Sequence, residues 1–174
     1  VDEITFPGFD KKLHRAFFER RGNRIWIHLH YSRQPGSELK TTIRYHGQPK
    51  EAPAPPWVGG FTWSKVESGD HWIATSVQSD GADLWIPCKD HPSDEPDSMR
   101  LNVKVPEPLI VASNGVLEKT TSDEEGWKTY HWFIANPINN YNIALNIAPY
   151  ILLDSTFVSV AGDTMPFQYY VRPE

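Results

Sequence analysis

The stretch Arg24-Ile25-Trp26-Ile27-His28-Leu29-His30-Tyr31-Ser32 sets apolar Ile25, Ile27, Leu29 and Tyr31 against Trp26, His28 and His30 in strict alternation. Successive side chains of an extended chain point to opposite faces, so a period of two reads as a half-buried strand. Residues 39–46 repeat the period, with Leu39, Thr41, Ile43 and Tyr45 against Lys40, Thr42, Arg44 and His46. Gln34-Pro35-Gly36-Ser37 supplies turn chemistry between them, and the two strands are expected to pair as an antiparallel hairpin. Gly22-Asn23 is a candidate turn for another hairpin just upstream.

Further strands are expected at residues 72–78, 99–105, 110–113, 127–135, 142–148, 157–160 and 167–171. Residues 10–20 suit a helix by pattern, although Ala16-Phe17-Phe18 suits a strand equally. Residues 49–56 hold four prolines, which cannot donate to an interior ladder, and read as a surface loop. Residues 80–97 form a second irregular stretch, broken by apolar Leu84-Trp85-Ile86; a loop this long is usually functional or pinned by its neighbours. Short strands separated by turn signals favour an all-β fold, either an antiparallel β-sandwich or a curved, saddle-like sheet.

A chain of 174 residues can build one substantial core, and a single domain over residues 1–174 is the expectation. The net charge is −5 and the pI about 5.8, with no concentrated Lys/Arg stripe, so there is no electrostatic footprint for nucleic acid. The lone Cys88 can supply neither an internal disulfide nor a thiolate cluster for zinc. The opening Val1-Asp2-Glu3-Ile4-Thr5-Phe6-Pro7 lacks a basic segment followed by an apolar one, and no apolar run approaches ~20 residues. A soluble chain without a signal or transmembrane segment is expected, in a compartment that the sequence does not specify.

Several side chains carry chemistry in principle. His28 and His30 share a strand face at a spacing from which two imidazoles can bind one metal, but no third ligand is indicated, and a solvated face is the simpler account. The carboxylates Asp80, Asp83, Asp90, Asp94, Glu95 and Asp97 are dense enough for calcium, yet their spacing is not that of an EF-hand loop; loop-stabilising hydrogen bonds are the plainer role. Cys88, after a proline and an apolar tripeptide, is expected to be a small buried hydrophobe. Trp57, Trp63, Trp72 and Trp85 lie in or near loops and could form a platform for sugar rings, against a core role for most of them.

Thr75-Ser76-Val77-Gln78, Pro87-Cys88-Lys89-Asp90 and Asp94-Glu95-Pro96 stand in the order of three segments of the aminopeptidase N family of zinc metallopeptidases. Trp57-Val58-Gly59-Gly60-Phe61-Thr62-Trp63, Ile73-Ala74 and Asn114-Gly115 are similar to a bacterial branch of that family, and the resemblance runs from about Gly22 onward. It implies an N-terminal all-β domain in which Gln78 takes the place of the Glu or Gln that binds the free α-amino group of the substrate. Two departures are plain: Ser76 replaces the family's first Gln, and Asp90 to Ser93 intervene before Asp94-Glu95-Pro96, so neither Asp90 nor Asp94 is given a role.

No His-Glu-x-x-His and no Gly-x-Met-Glu-Asn segment occurs in the 174 residues. The resemblance therefore implies a non-catalytic domain, cut short at its start and excised before a thermolysin-like catalytic domain of the same polypeptide. That domain would carry the zinc; in this chain no metal ligand, catalytic residue or cofactor is expected. The partners implied are that domain and the N-terminus of a peptide, with inactivity in isolation. The alternative is a free-standing β-sandwich module that binds carbohydrate or protein through exposed tryptophans.

Overall fold

The computed structural model describes residues 1–8, 10–78 and 80–173, and the chain divides into two compact units, residues 1–48 and 49–174. Among the described residues there are fourteen strands, all paired antiparallel, and the only helical pieces are two three-residue 3-10 turns. The fold is all-β. Among the described residues no helix is long and apolar enough to cross a membrane.

The first unit is organised by β1 (Glu3–Pro7), which lies between β2 (Leu13–Arg15) and β5 (Thr42–Arg44). Ile4 and Phe6 of β1 are each 1% exposed. Burial of two such side chains stabilises the unit by roughly 3–6 kcal/mol before chain entropy is counted. The hairpin β3 (Phe17–Arg21) and β4 (Arg24–His28) turns at Gly22-Asn23, as its sequence suggests, and Phe18, Ile25 and Ile27 pack on the same cluster.

In the second unit, β6 (Gly60–Lys65), β7 (His71–Ser76), β9 (Ile110–Ser113) and β12 (Leu145–Ala148) form a sheet of order β6-β7-β12-β9. A second sheet runs β10 (Val116–Ser122), β11 (Trp127–Ile134), β8 (Met99–Pro106). Ile73, Val111, Leu145 and Ile147 of the first sheet share one core with Leu101, Val105, Tyr130 and Trp132 of the second. Alternation in β8 and β11 puts those four side chains inward and leaves Arg100, Asn102 and Lys104 in solvent. A separate hairpin, β13 (Ile151–Val158) and β14 (Thr164–Val171), completes the unit.

Several sequence expectations need correction. Residues 24–32 and 39–46 do not pair with each other: β4 pairs with β3, and β5 with β1. The turn at Gln34 to Ser37 forms, but Ile43 is drawn to lie opposite Ile4, whose own strand is too close to the N-terminus to show a clear period. Residues 10–20 hold no helix and supply β2 and the start of β3 instead. The strand expected at residues 72–78 runs from His71 to Ser76, so Gln78 lies beyond its end. Residues 140–142 form a 3-10 turn ahead of β12, where strand was expected from Asn142.

Candidate functional site around Gln78

Thr75 marks the end of β7. Its Oγ1 accepts a hydrogen bond from the Leu145 amide at 2.9 Å and donates to the Leu145 carbonyl at 3.3 Å. The β7–β12 backbone register is carried by Ile73–Ile147 and Ala74–Asn146, and the threonine side chain extends the link one residue further. Beyond it, Val77 is buried and its carbonyl accepts from the Gly81 amide at 2.7 Å, closing a tight turn on which Gln78 is exposed.

Two glycines permit this turn. Gly81 has φ of 94°, a region that side chains rarely adopt, and a Cβ there would lie 2.8 Å from Asn140 Nδ2. Asn140 Nδ2 in turn donates to Asp90 Oδ1 at 3.2 Å. The Gly59 amide donates to Asp80 Oδ2 at 2.7 Å, and a Cβ at Gly59 would collide with that oxygen and with the Ser76 carbonyl. Ala82 is fully buried, and Trp85 and Ile86 pack on the core, with Trp85 edge-on to Phe61 at 5.9 Å between centroids. The irregular stretch after Gln78 is thus pinned over its first half, from Asp80 to Asp90.

Gln78 lines an open depression of about 350 Å³ with Thr75, Ser76, Tyr141, Asn142 and Ala144. Ala144 is fixed by its amide, which donates to Asn114 Oδ1 at 2.8 Å, and by its carbonyl, which accepts from Ser113 Oγ at 2.7 Å. Carboxylates gather just downstream. Burial, then the charges of Asp90 and Asp80, raises the Asp83 carboxyl above its usual range. The neutral Gln78 thus stands in sequence just ahead of a turn rich in carboxylates, none of which lines the depression.

The other candidates are dispersed. His28 Nε2 lies 2.8 Å from Glu19 Oε1, whereas His30 faces the Arg15 carbonyl at 3.1 Å, beyond the end of β4. Asp80 and Asp90 accept the hydrogen bonds given above, Asp94 pairs with Lys89 Nζ at 2.5 Å, and Glu95 and Asp97 are exposed. Among the described residues no group of three His, Cys, Asp or Glu could hold a metal. Cys88 is exposed, contrary to the buried role expected of it, because it follows the packed Trp85-Ile86 into the solvated part of the loop. Partial burial of the thiol, then Asp83 and Asp90, raises its pKa.

The four tryptophans do not make one platform. Trp63 lies opposite Ile73 and stacks on Phe61, while Trp72 lies opposite Ser64 on the other face of the β6–β7 pair, under the Arg172 guanidinium. Trp57 is 82% exposed and Trp85 is partly buried. Of these four none is among the buried core residues, whereas Trp132 is.

The sequence pattern of the peptidase M1 N-terminal domain matches residues 6–141. The chain belongs to this family. Its fold is similar to that of a two-domain M1 zinc metallopeptidase variant bound to L-tryptophan, with a TM-score of 0.77, 22% identity, and coverage of 97% of this chain and 37% of that one. An M1 zinc metallopeptidase variant from Deinococcus radiodurans bound to a Tyr-Ser-Ala substrate gives 0.76 at 22% identity, covering 97% and 36%. The unsubstituted D. radiodurans enzyme gives 0.73 at 21% identity, with the same coverage. This M1 N-terminal domain therefore spans little more than a third of these enzymes. No curated protein matches the sequence.

Proposed function

We propose that residues 1–174 are the non-catalytic N-terminal domain of a zinc aminopeptidase, which caps the active-site cleft and presents Gln78 to the free α-amino group of a peptide. The supporting observation is the position of Gln78: exposed at the mouth of a depression, on a turn fastened by the Val77–Gly81 hydrogen bond and by Thr75.

An exopeptidase must recognise the first residue of a chain, and the distinguishing group is an ammonium. The Gln78 side-chain carbonyl can accept its hydrogen bond without carrying charge. A rigid anchor then sets the first peptide bond at a fixed reach from the reacting centre, removing orientational freedom before reaction.

Zinc does not fit this chain's described residues, which lack any three-ligand group. In this account the metal belongs to a catalytic domain of the same polypeptide, and the 174 residues alone do not hydrolyse peptides. The test compares the purified 174-residue chain with the full polypeptide on aminoacyl anilides, with and without zinc. Turnover by the short chain would overturn the assignment, as would a zinc-loaded full polypeptide that ignores free N-termini.

A further inference from the structure

Charge is divided unevenly along the chain. Residues 1–48 hold nine Lys and Arg against five Asp and Glu, whereas residues 49–174 hold eight against seventeen. The first unit is therefore cationic in a chain whose net charge is −5. Its guanidiniums concentrate at one turn: Arg20, Arg21 and Arg24 bracket Gly22-Asn23 at the tip of the β3–β4 hairpin, and all three are exposed. The register sets Phe17 opposite His28, Glu19 opposite Trp26 and Arg21 opposite Arg24, so these six side chains share one face, away from the cluster on which Phe18, Ile25 and Ile27 pack. Phe17 is 64% exposed and Trp26 47%. The one carboxylate among the six is neutralised. Glu19 Oε1 accepts from Arg21 Nη2 at 3.0 Å and lies 2.8 Å from His28 Nε2, and the Arg21 guanidinium also lies 5.2 Å from the Trp26 ring centroid. Arg20 donates to the Gly22 carbonyl at 3.3 Å, and among the described residues neither Arg20 nor Arg24 pairs with a carboxylate.

We propose, independently of the peptidase assignment, that the β3–β4 hairpin attaches the protein to an anionic lipid bilayer, with the arginine tip among the headgroups and with Phe17 and Trp26 at the interface. A headgroup region favours cations beside partly exposed aromatic rings and needs no fitted cleft. The net charge of −5 repels such a surface, so the attraction has to be local. It can be local, because the surface potential falls off within a Debye length and acts on the groups nearest to it. Other anionic partners fit less well. Three guanidiniums at one turn neutralise few phosphates of a nucleic acid, and Arg21 already occupies the Trp26 ring on which a base would stack. An acidic peptide would engage the arginines and leave both aromatic rings in water.

The test sediments the full polypeptide with sucrose-loaded vesicles of phosphatidylcholine, pure or with about one-third phosphatidylserine. Partitioning onto the anionic vesicles should exceed that onto neutral ones at least about tenfold, and should fall to the neutral level as salt is raised to roughly 0.5 M. The triple variant Arg20→Gln, Arg21→Gln, Arg24→Gln should lose at least about tenfold. Lys50→Gln, Lys65→Gln, Lys119→Gln removes the same charge from exposed positions of the second unit and should bind as the parent does, which separates a local site from net charge. Equal partitioning onto both vesicles, or equal loss in the two triple variants, would overturn the proposal. Hydroxyl-radical footprinting of the unsubstituted protein repeats the readout without relying on any variant's folding. Anionic vesicles should protect Phe17 and Trp26 and leave Trp57, 82% exposed in the second unit, oxidised as before; unprotected Phe17 and Trp26 would also overturn it. Polyuridylate and polyglutamate are offered in the same buffer. Capture of either one by the arginine tip, with no uptake onto anionic vesicles, would assign the hairpin to that polymer and overturn the bilayer.

Discussion

Thr75 Oγ1 accepts the Leu145 amide at 2.9 Å, three residues before Gln78, and so holds the end of β7 to β12 where the backbone ladder gives out. Thr75→Val keeps the shape but leaves that amide without its acceptor. A loss of about 1–2 kcal/mol is expected, a drop in Tm of roughly 2–8 °C, measured by thermal denaturation. An unchanged Tm would show that the strand end is held by something else.

Gly81 is the second fastening. At φ of 94° and with Asn140 Nδ2 close by, Gly81→Ala should cost about 1–3 kcal/mol, through backbone strain and displacement of the Asn140 amide. Gly126, also at positive φ but with open space where a Cβ would stand, gives the control: Gly126→Ala carries the strain without the collision. Denaturant melts of the two variants should differ, with the Gly81 variant the less stable.

The raised Asp83 carboxyl has a defined pH signature. Its folded pKa exceeds the unfolded one through burial and the charges of Asp90 and Asp80, so the fold favours the protonated form. That preference costs nothing below the unfolded pKa and destabilises once pH has risen through the folded one. Asp83→Asn should therefore stabilise at neutral pH, by less than about 0.5 kcal/mol because the group is exposed, and the gain should vanish toward about pH 3. A gain that grows on acidification would contradict the sign.

Cys88 is accessible yet held protonated by partial burial and by Asp83 and Asp90. Only the thiolate alkylates, so iodoacetamide should modify it more slowly than free glutathione at neutral pH, with the rate still rising roughly tenfold per unit toward pH 9. Asp90→Asn should speed the reaction. A fast, pH-independent rate would show an activated thiol.

Much of this was legible in the sequence where one face is buried and the other solvated. The alternation in residues 24–28, 99–105 and 127–134 matches β4, β8 and β11 because burial on one side enforces a period of two. Where burial does not enforce it, the signal fails. Strand β10 is exposed almost throughout, β6 is buried on both sides at Gly60 and Phe61 and then opens to solvent, and β1 is only five residues long. The pairing of β5 with β1 spans nearly the whole first unit, and neither partner's sequence specifies the other. Gln78 is a candidate because of the segments that flank it, not because of its own surroundings; Tyr141 and Asn142, which share its depression, lie some 60 residues on and have no motif to mark them.

The most direct test of the central claim is kcat/KM of the full zinc-loaded polypeptide for an aminoacyl anilide, measured for the unsubstituted protein, Gln78→Ala and Gln78→Glu. Loss of a hydrogen bond to an ammonium should lower kcat/KM about 10–100-fold in Gln78→Ala, with Tm unchanged and most of the activity kept by Gln78→Glu. A Gln78→Ala enzyme within about twofold of the parent would contradict the anchoring role.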